Sequence, residues 1–286
     1  MFKKLTPYLY LLILLSCSAL AGGPSSEKLA AVLAEQSEEI QARYVYRHPE
    51  ETIKFFGITP GMTVVEALPG GGWYTKILLP YIGQDGSLNG ADYSLDMYPL
   101  FGFFGEDFLK EKETWVADFT ADAKGWSGDD GASVTAFVFG SMPEEMKGTA
   151  DAVLFIRAMH NLARFEGEGG FLTAALRDAY DILKPGGTVG VVQHQAREGM
   201  SDEWAGGQNG YLKKSFVIEK MQNAGFEFVA GSDINMNGKD QPTEDDIVWR
   251  LPPSLATSKD NPELKVEMEA IGESNRMTLK FRKPQE

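Results

Sequence analysis

The sequence predicts a doubly wound α/β domain: a seven-stranded, mostly parallel sheet with helices on both faces. Three observations carry this reading. Seven short runs rich in Val, Ile, Leu and Phe recur along the chain, amphipathic stretches lie between many of them, and the first run ends in Pro69-Gly70-Gly71-Gly72 just before a helix start. Strands buried on both faces read as near-continuous apolar runs, and alternating such runs with helices places the helices on both faces of one sheet.

Taken in order, the chain opens with Met1-Phe2-Lys3-Lys4, an apolar run over residues 5–15 broken by Thr6 and Pro7, and small residues from Ser16 to Gly23. This is the order of a secretory signal peptide, and the run is shorter than the roughly 20 residues a membrane-spanning helix needs. Ala19-Leu20-Ala21 offers a cleavage site, so residues 1–21 are expected to be removed and the protein exported to the periplasm. Leu14-Leu15-Ser16-Cys17 also has the shape of a lipobox; on that alternative Cys17 is lipidated and tethers the protein to a membrane. A helical segment is expected over 22–57. Leu29, Val32, Leu33 and Ile40 keep helical spacing up to about Tyr46. Pro49 ends that helix and opens a second one, with Glu50 and Glu51 favourably placed in its first turn.

The α/β domain is expected over 58–286, with no linker dividing it. Strands are predicted at residues 62–68, 87–93, 133–139, 152–158, 188–193, 226–230 and 277–281, and helices at 73–81, 170–183 and 215–224. Lys184-Pro185-Gly186-Gly187 is expected to stop the middle helix as a turn. Two polar stretches, residues 197–211 and 235–274, fit neither pattern and read as loops or lids over a site.

Composition narrows the function. With 27 basic and 41 acidic residues the net charge is −14, so a broad phosphate-binding surface and a nucleic-acid partner are not expected. One cysteine in 286 residues allows neither a disulfide framework nor a Cys-rich zinc module. A small molecule is the expected partner, with a membrane only through the anchor at Cys17.

The glycine turn is the first chemical signal. It follows the first strand, where ligands of α/β sheets bind, and without Cβ atoms it lets a ligand reach the backbone N–H groups of the helix start. Glu66, Gly70, Gly71 and Gly72 are therefore candidate cofactor-binding residues. A dinucleotide fingerprint needs another glycine where Thr75 stands, which disfavours a nicotinamide oxidoreductase. Asp92 ends the second predicted strand 20 residues after Gly72, the interval expected of an acid that holds ribose hydroxyls. Ser141, after the third strand, is the expected neighbourhood of an adenine.

His160 and His194 follow successive strands and so share the rim of the glycine turn. An imidazole there can take a proton from a nucleophile, so these two are the candidate catalytic residues. His48, Arg157, Asn161, Tyr211 and Trp249 are candidate substrate contacts. No H-x-x-x-H or H-E-x-x-H spacing occurs, and no metal is expected.

These blocks carry a resemblance. Arg47-His48-Pro49, Pro69-Gly70-Gly71-Gly72-Trp73-Tyr74-Thr75, His160-Asn161, Lys184-Pro185-Gly186-Gly187, Gly210-Tyr211, Leu251-Pro252-Pro253 and Gly272-Glu273-Ser274 resemble a family of predicted, exported class I methyltransferases dependent on S-adenosylmethionine. The similarity runs from about Tyr44 to Lys283. It implies the Rossmann-like class I methyltransferase fold, S-adenosylmethionine as cofactor and methyl transfer to an unspecified acceptor. A non-catalytic small-molecule binder on the same scaffold is the alternative. Leu68 stands where the wider superfamily has glycine, and Lys213 and Lys214 stand where relatives are expected to be acidic.

Overall fold

Strand positions follow the apolar runs closely. In the computed structural model, which describes residues 23–128 and 131–285, eight strands form one sheet: β1 (Thr63–Ala67), β2 (Ser87–Asp92), β3 (Ser133–Val138), β4 (Ala150–Ile156), β5 (Leu183–Ala196), β6 (Leu212–Lys213), β7 (Glu227–Ser232) and β8 (Arg276–Arg282). Their order is β3-β2-β1-β4-β5-β8-β7, with the two-residue β6 paired to β5. Strands β1 to β5 are parallel, and β8 runs antiparallel between β5 and β7. The expected signal peptide and the alternative anchor at Cys17 lie outside the described residues.

Chain direction across the sheet reverses at β1, which has β2 on one side and β4 on the other. Connections leaving the carboxyl ends of β1 and β4 therefore diverge, and a crevice opens between them. The glycine turn follows β1 and Arg157 to His160 follow β4, so the switch point brings both to one place.

Successive residues of β1 feed two different cores, as the two-residue period of a strand requires. Val64 packs with Leu29, Ile53, Phe56, Ile77 and Leu88 on one face. Val65 and Ala67 pack with Phe155, Leu176, Val191 and Val217 on the other. The first face is covered by α1 (Pro24–Ala34), α4 (Pro49–Phe56), α5 (Thr75–Ile82) and α7 (Trp115–Ser127). The second is covered by α8 (Met159–Arg164), α10 (Phe171–Ile182) and α11 (Lys214–Asn223). Leu29, Val32, Leu33, Ile53 and Phe56, from the segment expected as a helical N-terminus, thus pack in the core of the sheet. Phe56 of α4 lies so close to β5 that a Cβ on Gly190 would sit 2.6 Å from its ring.

Four local expectations change. The single helix expected up to Tyr46 is three: α1, α2 (Glu38–Gln41) and α3 (Tyr44–Arg47), because Ser37 caps a new start by accepting the Ile40 N–H. Lys184-Pro185-Gly186-Gly187 is not a turn ahead of β5 but its first part, joined to β4 with a register shift between Ala150 and Ala152. Strand β4 starts and ends two residues early, which leaves Arg157 and Ala158 outside the ladder. Residues 95–127, for which the sequence pattern suggests no element, form a 3₁₀ turn (Leu95–Phe101), α6 (Glu106–Glu113) and α7. The two stretches expected as lids carry mostly turns, together with α12 (Pro262–Ile271).

Candidate active site

The turn after β1 is built from left-handed backbone. Leu68 continues the ladder by donating its N–H to Ala91 O at 2.7 Å and then takes φ 55, a conformation glycine adopts freely and a branched side chain does not. Gly70 and Gly72 follow at φ 56 and 76. Gly72 N–H closes the turn onto Pro69 O at 2.9 Å, and Gly72 O accepts from Lys76 at the start of α5. Around Gly70 and Gly71 the space is open, whereas a Cβ on Gly72 would overlap the Trp126 ring.

Two cavities meet at this turn. One, about 510 Å³, is lined by Gly70, Asp92, Tyr93, Lys112, Trp115 and Asn161 among others. The second, about 470 Å³, is lined by Arg43, Arg47, Trp73, His194, Trp249 and Glu273 among others. Leu68, Pro69, Gly70, Arg157 and His160 line both, so the cavities are halves of one cleft.

On the Asp92 side the carboxylate is buried and already organised. Its Oδ1 accepts from Tyr93 N–H at 2.8 Å and from the Tyr98 hydroxyl at 2.7 Å, and Oδ2 accepts from Lys112 Nζ at 2.8 Å. The Lys112 ammonium also lies 4.9 Å from the Tyr98 ring centre. A carboxylate oxygen has two lone pairs, so Oδ2 can take one more donor. Asn161 Nδ2 donates to Tyr93 Oη at 3.1 Å, while its buried Oδ1 has no partner among the described residues.

On the other side the two imidazoles lie with ring centres 5.5 Å apart, and Trp249 lies 5.8 Å from His160. Gln193 Nε2 donates to Gly210 O at 2.9 Å, which turns its carbonyl oxygen toward His160 Nδ1 at 3.4 Å. Nδ1 therefore carries the proton, and Nε2 keeps a free lone pair. His194 Nδ1 pairs with Ser274 Oγ at 2.5 Å. Burial, aided by nearby Arg157, lowers His160 to a pKa of about 4. Burial, His160 and Arg157 hold His194 well below the ordinary imidazole range. Both rings are neutral at pH 7.

Behind them sits a cluster of arginines. Glu273 accepts from Arg43 Nε at 2.7 Å, Arg47 Nε at 3.0 Å and Arg276 Nη1 at 2.9 Å. These charges draw its pKa below the ordinary carboxylate value against the opposing effect of burial. Arg47 also stacks on Trp73, 4.5 Å from the ring centre.

The cleft therefore unites Gly70, Gly71, Asp92, Arg157, His160, Asn161, His194 and Trp249. Five expected site residues lie outside it. Glu66 lines neither half; it is buried beneath the turn, where its Oε2 accepts from Thr75 Oγ1 at 2.6 Å, and burial raises its pKa to about 7. Gly72 serves the turn and the contact with Trp126. Ser141 is exposed beyond both halves. His48, at φ 41, joins α3 to α4 and lines a separate cavity with Asn235 and Arg276. Tyr211 is fully buried, stacked on Trp204 and hydrogen-bonded to Asp240 and Arg250. Lining residues missing from the candidates drawn from sequence include Arg43, Arg47, Lys112, Trp115 and Glu273. The Arg47-His48-Pro49 and Gly272-Glu273-Ser274 blocks are the signals that pointed to two of them.

No known family profile and no curated protein matches the sequence. Solved structures do. The [4+2]-cyclase SpnF superposes with TM-score 0.52 at 17% identity, covering 84% of this chain and 81% of its own. A chain from the complex of the Haloferax volcanii Trm112 methyltransferase activator with a methyltransferase gives TM-score 0.52 at 14% identity, covering 92% and 98%. Geranyl diphosphate C-methyltransferase from Streptomyces coelicolor gives TM-score 0.50 at 15% identity, covering 88% and 87%. At such identities the likeness is one of fold, and a fold shared by a cyclase and methyltransferases does not name a reaction. The chain has the mixed α/β, mostly parallel architecture of class I methyltransferases.

Proposed function

We propose that the cleft binds S-adenosylmethionine and catalyses methyl transfer to a small-molecule acceptor, in the periplasm. The observation that carries this reading is the convergence of an open glycine turn, a buried Asp92 and a neutral His160 on one cleft at the switch point of the sheet. The residues present fit such a cofactor. Gly70 and Gly71 leave room beside the backbone, Asp92 Oδ2 has acceptor capacity for a ribose hydroxyl, and the orphaned Asn161 Oδ1 awaits a donor on the same side. When bound, the cofactor supplies a methyl group on a positively charged sulfur.

The chain's own groups then divide the work. Asp92 fixes the ribose and Asn161 takes a second polar contact. His160 Nε2 accepts a proton from the acceptor's nucleophile, with Gln193 holding the ring in the required tautomer. His194 is held by Ser274 beside it, and Trp249 with Pro252 and Pro253 walls the acceptor side against water. Orientation of two reactants in one cleft is itself a large source of rate. One observation favours a non-catalytic binder instead: an imidazole with a pKa near 4 is a weak base. Export rests on the residues before Gly23.

Calorimetry of the purified protein with S-adenosylmethionine, S-adenosylhomocysteine and NAD tests the cofactor. Binding of the first two alone is expected; binding of NAD alone, or of none, overturns the reading. Labelled methyl transfer into a metabolite extract then separates enzyme from binder. His160→Ala is expected to keep cofactor affinity and to lower turnover by roughly a hundredfold. Cell fractionation of wild type and Cys17→Ala distinguishes a free periplasmic protein from a tethered one.

A further inference from the structure

We propose that the acceptor half of the cleft is an oxyanion site, and that the methyl acceptor carries a carboxylate or phosphate group held by Arg157 and the indole N–H of Trp73. This deepens the methyl-transfer reading and rests on it for the word acceptor.

The charge count around Arg157 is unbalanced. Arg43, Arg47, Arg157 and Arg276 gather about one buried carboxylate, Glu273, and the other acid on this half, Glu39, is exposed to solvent. Glu273 already accepts from Arg43, Arg47 and Arg276. Arg157 Nε is buried with no partner among the described residues. A buried charge that shares its one counter-charge with three other cations is costly, and in a chain of net charge −14 an acid at this place would be easy to supply. The missing partner is the ligand's.

Arg157 is also held on purpose. Its N–H donates to Val192 O at 2.6 Å and its φ of 58 is one a long side chain rarely takes. That backbone keeps it on the border of both halves of the cleft, beside Gly70 and His160.

The unpartnered buried atoms of the cleft are sorted by type. Among the described residues, Trp73 Nε1 on the acceptor half is a donor, Asn161 Oδ1 on the Asp92 half is an acceptor, and Arg157 Nε, on the border of the two, is a second donor. A ligand that satisfies two donors brings acceptor oxygens, and carboxylates and phosphates match a guanidinium fork. Arg157 is also among the charges that depress His160. Neutralising it on binding raises the proton affinity of that imidazole, so the base improves once the acceptor is seated.

The same chemistry exists on the amino-acid carboxylate of the cofactor, and the test separates the two sources. Inorganic phosphate and benzoate are titrated calorimetrically into wild type, Arg157→Gln, Arg157→Lys and Trp73→Phe, each with and without S-adenosylhomocysteine. S-adenosylhomocysteine and 5′-methylthioadenosine, which lacks the amino-acid part, are titrated separately. Saturable binding of at least one anion is expected, weakened tenfold or more by Arg157→Gln and severalfold by Trp73→Phe. Both nucleosides are expected to change less than threefold. Arg157→Lys keeps the charge and decides the matter should Arg157→Gln not fold; an intermediate loss is expected. No anion binding by wild type, or equal binding by the Arg157 variants, overturns the proposal. So does a loss of S-adenosylhomocysteine affinity that spares methylthioadenosine, since Arg157 then serves the cofactor. Arg157-dependent anion binding by a protein that binds neither nucleoside would instead sink the methyl-transfer reading and leave the oxyanion site standing.

Discussion

The two halves of the cleft are assembled over very different stretches of chain. On the Asp92 half, the glycine turn and the acid lie within a single strand-helix-strand unit between Thr63 and Asp92. On the arginine half, Arg43 and Glu273 meet across 230 residues. The buried titratable groups differ as well. Glu66, under the turn, has its proton affinity raised, and His160, facing the arginines, has it lowered. One cause explains both, since burial disfavours whichever form is charged. A turn and acid set in one local unit tolerate substitution of a single ligand contact; a cluster held by one shared carboxylate does not.

Glu273→Gln is the harshest way to break that contrast. It leaves buried guanidinium groups facing one another and is expected to cost about 3–5 kcal/mol in urea unfolding. A loss under about 1 kcal/mol would mean that the arginines relax without their shared partner.

Glu66→Gln sharpens the contrast through pH. The folded pKa of Glu66 is about 7 against an ordinary 4.5, so the folded state binds the proton more tightly. Its stabilising effect is complete below pH 4.5 and is lost as pH rises through 7. The variant should therefore gain up to about 3 kcal/mol over wild type at pH 8 and nothing near pH 4. His160 carries the opposite sign. Its folded pKa of about 4 lies below the ordinary 6.5, so wild type loses up to about 3 kcal/mol as pH falls from 6.5 through 4. His160→Gln should flatten that acid limb, as read by thermal unfolding across the range.

Asp92→Ala addresses the ribose contact and is expected to weaken S-adenosylhomocysteine binding by about 2–3 kcal/mol, or roughly 30- to 160-fold by calorimetry. An unaltered affinity removes the assignment. The smallest effect is expected from Tyr98→Phe, which deletes one donor to Asp92 and should cost about 1 kcal/mol in stability, with less than a fivefold change in affinity.

Much of the fold is visible in the chain itself. All seven main strands fall within a few residues of the apolar runs, and the glycine turn and Asp92 stand where their spacing puts them, because period and turn chemistry are local. His160, His194 and Arg157 could be placed near the rim by counting strand ends, whereas Trp249 lies in a stretch read only as a loop or lid. What they do there could not be read, since the tautomer of His160 depends on the Gln193 amide and its weak basicity on burial and Arg157. Tyr211 illustrates the converse: as a residue type it suits a substrate contact, and only packing against Trp204 and Asp240 assigns it to the interior. Lys112 and Trp115 sit in a stretch whose helices, partly exposed, leave little apolar period to detect. Sequence alone decides the layers of this protein and the turn beneath its cleft, since both follow from neighbours along the chain. The charge of the cleft was decided only when the sheet folded, because Arg43, Arg47, Arg157, Glu273 and Arg276 acquire their balance from distances that no spacing encodes.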